Sequence, residues 1–265
     1  MKAYLKILPF YLCIGLSILA ACKRNDPAPE KIADNKPSVP TLPEKNLVPT
    51  QIGTGKSKMS FSYTTNYSLS KIEYGDGTST VLEFTPGGMP YALVHYDGEE
   101  MIAYTEYRLD NANRVIKAAN YATTGNVYKK VGSYAFSYSS DLLISSILYY
   151  NGQEILTNTE ERFYEKKGNL IREQNSNAAF TAGYLYDDKN GLFKNAGCAW
   201  LFVIEEPGKL FLSSLNNISS CTYPSKPANN QTFVYTYNQD QYPETISSVI
   251  AGVKLSQKVT YKAVE

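Results

Sequence analysis

A short unit recurs through this 265-residue chain and leaves it few folds to choose from. An aromatic pair closes one strand, a polar turn follows, and an apolar residue opens the next strand. Tyr107-Arg108-Leu109-Asp110-Asn111-Ala112-Asn113-Arg114-Val115 shows the outline. It returns in Phe136-Ser137-Tyr138-Ser139-Ser140-Asp141-Leu142-Leu143-Ile144 and in Phe163-Tyr164-Glu165-Lys166-Lys167-Gly168-Asn169-Leu170. Tyr184-Leu185-Tyr186-Asp187-Asp188-Lys189-Asn190-Gly191-Leu192 fits closely, and Tyr235-Thr236-Tyr237-Asn238-Gln239-Asp240-Gln241-Tyr242-Pro243 fits with proline in the opening slot. Such a turn calls for a residue that tolerates positive φ. Asn113, Gly168 and Asn190 meet that demand at the shared position; Leu142 and Gln241 do not.

Around these units, short runs alternate apolar with polar and meet at turn residues. Tyr91–Tyr96 runs into Asp97-Gly98, and Ile147–Tyr150 turns at Asn151-Gly152 into Glu154-Ile155-Leu156. Asp-Gly and Asn-Gly between such runs are strong hairpin signals, because both central residues of a type I′ turn need positive φ. Twenty-three tyrosines, with many threonines, serines and valines, suit a pleated, half-solvated surface. The expected fold is all-β: an antiparallel meander of repeated hairpins forming one twisted sheet with a wet face, a single domain over residues 51–265. Residues 193–212 break the rhythm. They hold the only tryptophan and the apolar run Ala199–Ile204, and they read as a short helix or irregular insertion that caps the sheet.

The N-terminus reads as an export signal over residues 1–21. Lys2 and Lys6 precede the apolar run Ile7–Leu19, and Leu19-Ala20-Ala21-Cys22 closes it as a lipobox, with Cys22 the lipidated residue. The run is too short and interrupted to span a bilayer, which takes about 20 apolar residues. Residues 23–50 carry six prolines among charged and polar residues, from Pro27 to Pro49, and read as a disordered tether. Removing Lys2 and Lys6 from the 26 basic residues leaves 24 against 25 acidic ones, so the mature chain has no electrostatic footprint for nucleic acid. Cys198 and Cys221 then remain. An even pair in an oxidising compartment predicts a disulfide, with two buried free thiols as the alternative.

The Tyr-Asp…Gly…Leu outline, best kept in Tyr186–Leu192, resembles the YD-type repeats of bacterial cell-surface proteins. With its lipobox and tether the whole chain resembles uncharacterised Bacteroidetes outer-membrane lipoproteins, a domain of unknown function. Tyr186–Lys194, Asn216-Asn217-Ile218 and Tyr235–Asn238 with Tyr242–Thr245 carry the likeness. The resemblance implies an address at the outer membrane, facing the periplasm or the cell surface. It transfers no catalytic residues.

Nothing else in the sequence forms a catalytic set. Gly53-Thr54-Gly55-Lys56-Ser57 ends like a phosphate loop, but Thr50 stands where its first glycine belongs. His95, the sole histidine, lies mid-strand without a nucleophile elbow elsewhere. The doublets Glu99-Glu100, Glu160-Glu161 and Glu205-Glu206 would point to opposite faces of a strand. Asp76 and Asp187-Asp188 lack the spacing of a calcium loop. No cofactor, metal site or enzyme activity is expected. Two readings follow: a non-catalytic, lipid-anchored envelope scaffold, structural or docking other envelope proteins or cell-wall material, or a carbohydrate-binding lipoprotein. The second would stack sugars on Tyr134, Phe136 and Tyr138, and on Tyr235 with Tyr237. The competing role for those rings is the core face of the sheet.

Overall fold

The computed structural model describes residues 45–124, 127–176, 181–205, 211, 214–250 and 253–264. The signal segment, Cys22 and the tether up to residue 44 lie outside the described residues.

Sixteen antiparallel strands form a closed barrel. In chain order they are β1 (Leu47–Ile52), β2 (Met59–Tyr63), β3 (Leu69–Tyr74), β4 (Thr78–Phe84), β5 (Pro90–Asp97), β6 (Glu100–Leu109), β7 (Val115–Thr124) and β8 (Val127–Tyr138). There follow β9 (Ile144–Asn151), β10 (Leu156–Tyr164), β11 (Leu170–Asn175), β12 (Thr181–Tyr186), β13 (Ile218–Thr222), β14 (Gln231–Tyr237), β15 (Pro243–Ile250) and β16 (Val253–Ala263). Among the described residues one α-helix, α1 (Ala199–Glu205), lies between β12 and β13. Every strand pairs with its sequence neighbours, and β1 pairs with β16 from Leu47↔Ala263 to Ile52↔Val259.

That last pairing corrects the expected open sheet. Hairpin signals specify neighbours, but whether the two ends of a meander meet depends on accumulated twist and tilt, which no local run encodes. The closing strand β1 also starts at Leu47, inside the span read as tether, because Pro49 and Pro43 mask a short apolar strand. Closure removes both sheet edges, and with them the free backbone donors and acceptors that invite foreign strands.

Odd-to-even connections lie at one end of the barrel. Even-to-odd connections and both chain ends of the barrel lie at the other, called here the turn rim. Six turns at this rim share one hydrogen-bond frame. In Asp110–Arg114 the Asp110 amide donates to the Arg114 carbonyl, and the Asn113 amide donates back to Asp110. Thr64–Ser68, Thr85–Met89, Ser139–Leu143, Glu165–Asn169 and Asn238–Tyr242 repeat both bonds. The fourth residue has positive φ in all six: Tyr67, Gly88, Asn113, Leu142, Gly168 and Gln241. The hairpin register therefore imposes the left-handed conformation on Leu142 and Gln241 too, at about 1–2 kcal/mol relative to glycine.

The strand-closing aromatics and strand-opening apolar residues of the unit meet across neighbouring strands. Tyr138 donates its hydroxyl to the Val115 carbonyl at 2.6 Å, and Tyr186 to that of Leu170 at 2.7 Å. Tyr235 does so to Ile218 at 2.7 Å and Tyr261 to Pro243 at 2.8 Å. Each such bond contributes about 1 kcal/mol net. The repeat is thus a device for locking adjacent strands near the turn rim.

Alternation sets the two walls. The inner wall is apolar, with Ile72, Leu93 and Ile147 fully buried, and α1 fills the interior with Leu201 and Phe202. The outer wall carries exposed Ser62, Glu73, Glu106, Arg108, Thr236 and Lys258, and Lys71 pairs with Glu73 across its surface at 2.7 Å.

Candidate functional site

The segment between β12 and β13 occupies one of the rim turns. Asp187 opens it as Asp110 opens its own: the Asp187 amide donates to the carbonyl of Asn217, and its Oδ1 accepts from the amides of Lys189 and Asn217. Asp110 Oδ1 accepts from the amides of Ala112 and Arg114 in the same way. The frame is kept while residues 190–216 are inserted within it. Asn190 is therefore not a turn residue of the common kind, and Leu192 opens no strand; it is buried with Phe193, whose ring meets Phe61 edge-on at 4.9 Å.

Neighbouring turns hold the insertion in place. The Leu69 amide donates to Gly197 and the Gly197 amide to Tyr67. A Cβ at Gly197 would stand 2.8 Å from the Ser68 hydroxyl, which would have to turn away to admit it. The buried Asn169 accepts from the amides of Leu215 and Asn216, and Asn195 donates to the Leu47 carbonyl at 3.0 Å and to the Tyr242 hydroxyl at 2.7 Å. At the inner end of α1, Glu205 accepts from Asn120 at 3.0 Å.

Between α1 and the wall from β7 to β12 lies a cavity of about 510 Å³ that opens among the rim turns. The repeat unit builds one side of it: Val115, Ile144 and Leu170 open strands there, and Tyr138, Tyr164 and Tyr186 close them. Trp200, Leu201 and Val203 of α1 form the other. Leu142 stands at the lip, 65% exposed. Leu142 and Cys198, both non-glycine residues at positive φ, border the same space.

One buried charged group lines this space from the inner wall. Arg162, with a side chain only 10% exposed, places Nε 2.7 Å from Glu160 and Nη2 3.2 Å from Glu173. It also hydrogen-bonds Tyr164. Burial opposes the Arg162 charge, but the two carboxylates more than offset that and hold its pKa above the ordinary value. Burial raises the pKa of Glu173, against the pull of Arg162. Tyr149 caps Glu160 at 3.0 Å and Tyr184 caps Glu173 at 2.6 Å; burial, then those carboxylates, raises both phenol pKa values. The cluster is a satisfied, desolvated network facing an apolar space, and that combination is typical of small-molecule sites, which span roughly 300–1,000 Å³.

The residues singled out in the sequence fall elsewhere or play other parts. Tyr134, Phe136 and Tyr138 do share a face, but it is the inner one: Phe136 meets Trp200 edge-on at 6.2 Å and Tyr134 meets Tyr149 at 5.1 Å. Tyr235 and Tyr237 also point inward, Tyr237 bonding Asp187. Cys198 and Cys221 are free thiols, Cys198 at the rim cavity and Cys221 on β13; burial raises both pKa values, that of Cys221 to about 12. His95 bonds Thr80 at 3.0 Å on the inner wall. Glu160 faces in and Glu161 out, as strand alternation requires. Asp76 accepts from the Thr78 amide within its turn, and Gly55–Ser57 is a single 3-10 turn in a loop. Among the described residues no three acidic, histidine or cysteine side chains converge as metal ligands.

The sequence reading missed two features. The Glu160–Arg162–Glu173 cluster shows in sequence only as inward-facing charges on strands, invisible until the walls are assigned. The outer tyrosines also escaped notice: Tyr104 stacks on Tyr121 at 4.6 Å, and Tyr128 meets Tyr104 edge-on at 5.7 Å.

This is a closed antiparallel barrel with a plugged interior and a pocket at one rim. No family model matches the chain, and no curated protein matches it either. Among solved structures it is similar to a porin-like protein from Bacteroides uniformis, at TM-score 0.52 and 14% identity, over 84% of this chain and 99% of that one. A porin-like protein from Bacteroides vulgatus gives TM-score 0.38 and 12% identity, over 82% and 99%. Only the first likeness is close enough to argue from, and at that identity it extends to the fold and no further.

Proposed function

We propose that the chain is a non-catalytic cell-envelope protein, held at the outer membrane by a lipid on Cys22 and presenting a water-soluble barrel at the end of its tether. The observation that carries this reading is the polarity of the walls. A membrane-spanning barrel turns an apolar band about 25 Å tall outward and keeps a polar lumen. Here serine, threonine and charged residues face out, interspersed with the exposed Tyr128, Ile171, Leu185 and Val234, and the apolar inner wall packs on α1. We read an outer wall so interrupted by polar side chains as unsuited to a continuous lipid-facing belt, which leaves membrane attachment to the N-terminal anchor. β1 starts at the turn rim, where Asn195 of the insertion donates to its Leu47 carbonyl. The YD-type outline and the lipobox support the same address. The expected partners are other envelope proteins.

A second reading, carbohydrate binding, is favoured by Tyr104, Tyr121 and Tyr128 on the outer wall, in place of the aromatics that turn inward.

Fractionation tests the main reading. The natural chain is expected with the outer membrane, and a Cys22→Ser chain is expected in the soluble fraction. Retention of Cys22→Ser with the membrane after a carbonate wash would mean that the barrel itself is inserted, and the proposal would fail. Protease digestion on intact and on permeabilised cells then reports which side the barrel faces.

A further inference from the structure

We infer that the rim cavity is a binding site for a single-chain amphiphile with an uncharged polar head, its hydrocarbon lying between α1 and the barrel wall. This rests on the cavity alone and is independent of the anchoring proposed above.

Three observations carry it. The walls are apolar on both sides, from Val115, Ile144 and Leu170 to Trp200, Leu201 and Val203, and the space of about 510 Å³ suits a small-molecule ligand. The one buried charged group on this lining is Arg162, backed by Tyr164, so a ligand has a polar feature to meet after its apolar body is buried. Arg162 is already matched by Glu160 and Glu173. Arg114, the other arginine of the lining, is matched by Asp110 at 2.6 Å, so neither offers an anionic head an unmatched cation, and an uncharged hydroxyl or ester oxygen asks for none.

The third observation is Leu142. It occupies the turn position that demands positive φ, where Gly168, Gly88 and Asn113 stand in sister turns, and it is 65% exposed. Leucine there is unfavourable both for backbone conformation and for solvation. Its place at the lip of this cavity gives it a use: it extends the apolar surface that an incoming chain first touches.

Trp200 is the sole tryptophan and lines the cavity, so the protein carries its own reporter. The test is a titration of the full chain carrying Cys22→Ser, without detergent, with 1-decanol as the probe and Trp200 emission as the readout. A saturable shift is expected. Val115→Phe, which fills the cavity from its wall, should weaken binding by about tenfold or more, a change of about 1.4 kcal/mol. Leu142→Asn, a surface change at a position asparagine tolerates, should weaken it severalfold while the melting temperature holds or rises. Decanoate should bind more weakly than decanol.

The inference is overturned if decanol gives no saturable shift, or if both variants respond as the natural chain does. Decanoate binding as tightly as decanol would overturn the uncharged head. Should Val115→Phe not fold, Leu142→Asn decides the question by itself.

Discussion

The two rims of the barrel are built on different principles. At the turn rim six connections share one frame, with the same pair of backbone bonds and the same left-handed fourth residue. At the opposite rim one turn, Asn151–Ile155, keeps that frame with Glu154 at positive φ, but the others vary, from the 3-10 turn at Gly55–Ser57 to the long loop containing Pro227–Asn229. The uniform rim is also the one that carries the insertion, the cavity and both ends of the barrel chain. A repeated turn gives every strand pair the same geometry at that end, so the openings of β7, β9 and β11 align into one wall. An insertion can then replace the interior of one turn, keep its Asp187–Asn217 closure, and drop into the barrel without disturbing its neighbours.

If the insertion supplies the core beneath the turn rim, Phe202→Ala should be the most damaging single change. Phe202 is fully buried on α1, and its loss should cost about 3–5 kcal/mol in urea unfolding, where an equivalent outer-wall change costs little. Next in size, Gly168→Ala should cost about 1–2 kcal/mol in the same unfolding series, because φ at Gly168 is +101°; a loss no greater than that of Gly87→Ala, a turn glycine at ordinary φ with room for a Cβ, would show that the left-handed position is not what the frame demands.

Tyr138→Phe removes one inter-strand lock and should cost about 1 kcal/mol at neutral pH, seen as a lower urea midpoint. The same hydroxyl makes a pH prediction. Burial pushes the Tyr138 phenol up to about 12, against about 10 when unfolded, so the folded state keeps its proton longer. That contribution is complete below pH 10 and is lost as pH rises towards 12. Alkaline unfolding should therefore set in within this window, and Tyr138→Phe should make the decline shallower. At the small end, Lys258→Ala on the outer wall should stay within about 0.5 kcal/mol in the same urea series.

Much of the local design was legible. The hairpins, the strand-closing aromatics and the need for positive φ could all be read from residue order, because each depends on neighbours a few positions apart. Residues 190–216 were harder. Tyr186–Leu192 matches the unit closely, yet only its first half is used, and the opening residue is Ile218, beyond the insertion. A local pattern cannot say which of two later apolar residues will pair. The aromatics were recognised as one face, but whether that face was wet or buried depended on closure. The Arg162 cluster was silent for the same reason, since an inward charge is unusual only once there is an inside.

By itself, then, the residue order determined the strands, their antiparallel neighbours and the turn chemistry at one rim, all set by short-range sterics and by hydrogen bonds between adjacent segments. Only the tertiary structure decided that β1 meets β16, that the tyrosines named from the sequence face a plugged interior, and that a cavity opens beside α1. Those outcomes come from the summed twist and tilt of sixteen strands and from long-range burial, quantities that no single segment contains.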